Sequence, residues 1–106
     1  MTYSNALTAL ADPTRRAVFE RLRDSAASVG EITAGLPVSR PAVSQHLKVL
    51  KSAGLVEARA KGTRRVYYID PRGLGELRRY LDQFWDAALE AFKREVESGN
   101  AQGKAD

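Results

Sequence analysis

From Ser39 to Val56 the chain reads SRPAVSQHLKVLKSAGLV, and few folds accommodate such a stretch. A serine stands at the N-cap of a helix, its side chain suited to accept a hydrogen bond from an otherwise orphaned backbone N–H. At about 100° per residue, Val43, Leu47 and Leu50 fall within about 60° of one another, while Pro41, Gln45 and Lys48 point almost the opposite way. One face of this helix therefore packs. The other is short, polar and cationic, carrying Arg40, Ser44, Gln45 and Lys48.

The surrounding sequence supplies the neighbours. A first short helix is expected over residues 4 to 11, with Ala6, Leu7 and Leu10 as its apolar stripe. Asp12-Pro13 restarts the chain, a cap acceptor followed by a proline at the first helical position, where its missing N–H costs nothing. The second helix is expected to reach about Asp24, with Ala17, Val18, Phe19 and Leu22 inward. Ser28 and Glu31 have capping-box spacing for a third helix, closed after barely two turns by Gly35-Leu36-Pro37. A tight turn, Pro37-Val38-Ser39, then leads into the capped helix, which runs to about Ala53 with Gly54 as its C-cap. That is the layout of a helix-turn-helix. Next, LVEARAKGTRRVYYID reads as a β-hairpin turning at Lys61-Gly62-Thr63, with β-branched and aromatic residues on the return strand. Asp70-Pro71 repeats the cap-then-proline signal. A last helix follows from about Leu74 to Val96, with Leu74, Leu77, Leu81, Phe84, Ala88, Phe92 and Val96 at helical spacing, joined by Trp85 and Leu89.

Length and charge narrow the function. The 106 residues make one domain, with residues 1–97 as its folded part and the small, polar residues 98–106 expected as a disordered tail. No apolar run approaches the ~18 residues that cross a bilayer, and the N-terminus has no secretory pattern, so the expected location is cytoplasmic. The net charge is +4, but its distribution is more telling. Residues 1–39 carry four basic and four acidic side chains, residues 40–72 eight and two, and residues 73–106 five and seven. The positive excess sits on the capped helix and the hairpin, as a polyanionic partner requires. A catalytic site is not expected: the chain has one histidine, no cysteine and no phosphate-binding loop.

The block LADPTRRAVFERL at 10–22, the block SRPAVSQHLKVLKSAGLVEARAKGTRRVYYID at 39–70 and the long last helix together resemble the winged helix-turn-helix repressors of the ArsR family, over about residues 6–96. The expected fold class is mainly α with a small β-hairpin. The resemblance implies a homodimeric repressor on a pseudo-palindromic, double-stranded DNA operator. A dimer is also suggested by the apolar surface of the last helix, which is large for a domain of this size to cover internally. The expected dimer residues are Leu7 and Leu10 on the first helix and Leu77, Leu81, Phe84, Trp85, Ala88 and Phe92 on the last.

In a major groove, the first half of the capped helix meets base edges. Arg40, Ser44 and Gln45 are then base readers, since arginine can bond guanine in a bidentate manner and glutamine adenine. Ser39 caps the helix with its hydroxyl within reach of a phosphate, and Lys48 is a backbone contact. Lys61, Arg64 and Arg65 on the hairpin reach phosphates or the adjacent minor groove. His46, the single histidine, flanks the buried face as a packed residue or a phosphate contact. The same surface on a winged helix that binds only protein would not need cations on both the helix and the hairpin.

The regulatory side departs from the family pattern. The thiolate metal site of many relatives would need cysteines within SVGEITAGL, and there are none. At the other common site, on the last helix, Asp82 stands in the aspartate place, but Phe84 follows two residues later and Glu95 occupies a place where histidine is expected. Asp82, Asp86 and Glu90 share a helix face, where carboxylates alone make a poor zinc site; the plainer reading is a solvated face with pairs such as Arg78–Asp82 and Glu90–Arg94. No metal or other cofactor is expected, and calorimetric titration with zinc should show no binding. Control is left to an unidentified small organic effector or to protein level.

Overall fold

The computed structural model describes the backbone of residues 3–102 and the side chains of residues 5–99. Helices α1 (Tyr3–Ala11) and α2 (Pro13–Arg21) are followed by a two-residue strand β1 (Ala27–Ser28), then α3 (Val29–Ala34), α4 (Arg40–Ser52), the hairpin β2 (Val56–Lys61) and β3 (Arg64–Ile69), and α5 (Pro71–Gln102). The strands form one antiparallel sheet in the order β1-β3-β2.

Several starts and stops have a local cause. The Asp12 carboxylate accepts from the Arg15 N–H at 2.9 Å to open α2. Arg15 and Arg16 also reach back to the carbonyls of Ala9 and Leu10 (2.7 and 2.8 Å), so cations from the second helix satisfy the orphan acceptors that end the first. At α3 the capping box is complete: Ser28 Oγ accepts from the Glu31 N–H at 3.2 Å, and Glu31 Oε1 accepts from the Ser28 N–H at 2.8 Å. Ser39 Oγ accepts from Ala42 N–H to open α4. That helix ends in a Schellman motif, with Gly54 at φ 80° donating to Lys51 O and Leu55 donating to Leu50 O, both at 3.0 Å.

Val18, Ile32, Val43, Leu47, Leu50, Leu55 and Val56 are essentially inaccessible and form the core, with Ala6 and Ala9 of α1, Leu22, Ala27 and Leu77 around them. The two faces expected of α4 are both present: Val43, Leu47 and Leu50 are buried, and Arg40, Ser44, Gln45 and Lys48 are exposed. In the hairpin a two-residue loop, Gly62-Thr63, has Gly62 at φ 64°, the left-handed conformation that a first loop position of this kind reserves for glycine.

Three expectations change. The sheet has a third strand, because Ala27 and Ser28 pair with Tyr67 and Val66 before the chain enters α3. The second helix stops at Arg21, with Leu22 as its C-cap, rather than running to Asp24. The last helix begins at Pro71 and continues to Gln102, so residues 98–102 are helical where a disordered tail was expected. Once a helix is established, each further residue adds a hydrogen bond at little extra entropic cost. The expected tail over 103–106 lies outside the described residues.

Candidate nucleic-acid interface

Helix α3 packs against both α4 and β3, and α4 also meets β2, so the recognition helix and the hairpin are held in one unit. Ser39, Arg40, Pro41, Ser44, Gln45 and Lys48 are exposed from the N-cap into the third turn of α4, and His46 is half-buried on its flank. At the hairpin tip every residue from Arg59 to Arg65 is exposed. The register sets Lys61 directly opposite Arg64. Like charges in that position repel, so the tip gives up some strand-pairing stability to concentrate positive charge. Side chains alternate along a strand, so Arg64 and Arg65 leave opposite faces of the hairpin.

Not every cation is free. Arg64 Nη1 lies 3.6 Å from Glu31 Oε2, so the carboxylate that caps α3 also holds the tip end of the hairpin. The Ser28 backbone N–H, then its hydroxyl, and the guanidinium of Arg64 keep the Glu31 carboxyl below the usual carboxylate range. Arg59 stacks over Tyr68 at 5.9 Å from the ring centroid, and Lys51, at the end of α4, pairs with Glu57 of β2 at 3.3 Å. Arg40 does not project straight outward. A carbon added to Gly30 would stand 2.5 Å from Arg40 Nη2, so the guanidinium lies over that glycine. The capping box showed in the sequence, but the second partner of Glu31 and the pose of Arg40 are tertiary and carry no spacing signal.

The expected dimer residues divide. Leu77 is buried in the core of its own subunit, and Leu10 is half-buried against that core. Both have intramolecular partners, because α5 packs on α1 with its first turns. Leu7, Leu81, Phe84, Trp85, Ala88 and Phe92 are exposed, Trp85 at 65% and Phe92 at 63%. Leu81, Asp82, Phe84, Trp85 and Ala88 border a shallow concavity of about 440 Å³ on this face. Of the expected helix pairs, Arg78–Asp82 is present at 3.8 Å, while Glu90 pairs with Lys93 rather than Arg94. Among the described residues no three His, Cys, Asp or Glu side chains gather as a metal-holding group.

Five helices with a small three-stranded sheet, a capped helix with a polar outer face and a basic hairpin define a winged helix-turn-helix DNA-binding regulator. The comparisons agree. A family model described as a helix-turn-helix domain matches residues 10–59. The HTH-type transcriptional regulator Rv2034 of Mycobacterium tuberculosis is 58% identical over 93 residues, which are 88% of this chain and 87% of that protein. The HTH-type transcriptional repressor SmtB of the same species is 41% identical over 67% of this chain, which spans about half (53%) of that relative's length. A solution structure from Mycobacterium bovis, described as the homodimeric winged helix-turn-helix DNA-binding domain of a possible ArsR-family regulator, superposes with a TM-score of 0.64 at 31% identity, covering 83% of this chain and 82% of that one. The chain belongs to the ArsR family of transcriptional regulators. No helix among the described residues is long and apolar enough to cross a membrane.

Proposed function

We propose that two copies of this chain, joined through the exposed face of α5 with the edge of α1, form a cytoplasmic repressor that binds a pseudo-palindromic operator and has no catalytic activity. The observation that carries this reading is the capped α4, whose exposed face presents Ser39, Arg40, Ser44, Gln45 and Lys48, together with a wing tip that exposes Lys61, Arg64 and Arg65. Ser44 and Gln45 read base edges. Lys48, Lys61, Arg64 and Arg65 contact phosphates, with the Ser39 hydroxyl beside them. A wing that served only protein contacts would have no use for the repelling Lys61–Arg64 pair at its tip. No metal takes part in this reading, since the chain has no thiolates for one family site and no histidine on the last helix for the other. A small organic effector, where one acts, is to be sought as a component of cell extract that shifts operator affinity.

Phosphate contacts position a protein without telling sequences apart, and base contacts do the reverse. Gln45→Ala should therefore weaken operator binding by about 1 to 3 kcal/mol and leave a scrambled duplex nearly unaffected. Arg64→Ala with Arg65→Ala should weaken both duplexes alike and lower the salt dependence of binding by about 0.9 for each phosphate no longer neutralised. Fluorescence titration over a range of salt concentrations separates the two. The opposite pattern would refute the assignment of roles.

A further inference from the structure

Arg40, Arg64 and Arg65 converge on one concavity of about 280 Å³, also lined by Ser28 and Gly30, between the start of α3, the start of α4 and strand β3 of the wing. Three features make it more than a basic patch. The guanidinium of Arg40 occupies the space that a side chain on residue 30 would fill, so Gly30 is what lets it fold into the cleft. The adjacent arginines of β3 leave opposite faces of the strand, yet both line this space. The carboxylate of Glu31, one residue beyond the lining, pairs with Arg64 across 3.6 Å, with both side chains about half exposed. Such a pair is weak and readily exchanged for another anion.

We infer that this cleft is the seat of one backbone phosphate of bound DNA, and that Arg40 is a phosphate clamp rather than a base reader. The inference rests on the DNA-binding reading above. A phosphodiester entering the cleft takes over Arg64 from Glu31 and is gripped from the recognition-helix side by Arg40, so one phosphate fixes the angle between helix and wing. This changes the role expected of Arg40 from its place on the helix. A planar guanidinium with several donors suits that task better than a lysine would.

The test uses the full chain, an operator selected from a random DNA pool, and a scrambled duplex of equal length. Arg40→Ala should lower affinity for both duplexes by the same factor and reduce the salt slope by about 0.9 for each protomer. Gly30→Ala should act in the same direction by displacing the guanidinium, while the melting temperature holds or rises because alanine favours the helix. An effect confined to the operator in Arg40→Ala would make Arg40 a base reader and overturn the proposal. So would a Gly30→Ala variant with unchanged binding. A free anion as the true occupant would be seen if inorganic phosphate at constant ionic strength raised the melting temperature of wild type but not of Arg40→Ala, with DNA binding insensitive to Arg40; that too would overturn it. Failure of the wild type to bind either duplex would instead remove the DNA-binding reading on which the proposal stands.

Discussion

At Asp70 the end of the wing meets the start of the last helix. Its N–H donates to Leu55 O at 2.9 Å, and its buried carboxylate accepts from the backbone N–H and Nε of Arg72 at 3.0 Å and from Nη2 at 2.8 Å. The Arg72 side chain, then its backbone N–H, hold the carboxyl below the usual range. A carboxyl with a folded pKa below its unfolded one adds stability that is present above the unfolded pKa and lost as pH falls through the folded one. Glu31, Glu57 and Asp12 are shifted in the same direction, chiefly by backbone N–H groups. The melting temperature is therefore expected to stay level down to about pH 4 and to fall below it. Asp70→Asn should melt lower than wild type at neutral pH, with the gap closing in acid. A gap constant with pH would show that charge at Asp70 is not what matters. The cap at Asp70-Pro71 was legible in the sequence as a residue pair. The fork from Arg72 was not, because a bidentate geometry depends on side-chain angles that spacing does not encode.

The elements were legible wherever a cap and an apolar stripe coincided, as in α4, and illegible where a tertiary contact decided. β1 is two residues long, too short for any alternation to register, and exists because β3 offers it an edge. The start of α5 was expected near Leu74; the helix begins at Pro71 and runs through Gly73 and Gly75. Gly73 is needed for close approach, since a carbon added there would overlap the carbonyl of Gly54, the residue that terminates α4. Gly75 faces only the end of Arg79, 3.6 Å away. Gly73→Ala should thus cost about 1 to 3 kcal/mol by overpacking. Gly75→Ala should stabilise by about 0.5 to 1 kcal/mol through helix propensity. Chemical denaturation of the pair measures both, and equal effects would mean that the junction of α4 and α5 is not close-packed.

The structure extends over 66 × 27 × 21 Å, with a radius of gyration of 19.2 Å. A compact domain of this length would have about 13 Å. The excess is α5, whose residues 81–98 are all exposed, including Leu81, Phe84, Trp85, Leu89, Phe92 and Val96. An apolar stripe of that extent is not left in water by a stable monomer. The sequence showed the stripe but not that the helix leaves the domain to carry it, a consequence of α5 packing on α1 with only its first turns. Sedimentation should give a dimer at micromolar concentration. Trp85→Asp with Phe92→Asp should give a helical monomer with its operator affinity abolished and its weak, non-specific DNA binding retained. A wild-type monomer, or a double variant that remains dimeric, would move the interface elsewhere.

The twofold arrangement of two capped helices on one duplex is tested most directly by selecting bound sequences from a random DNA pool with the purified protein. Enrichment of an inverted repeat whose half-sites are centred about one helical turn, or roughly 10 bp, apart is the predicted result. An enriched single half-site, or no enrichment over the starting pool, would contradict the account.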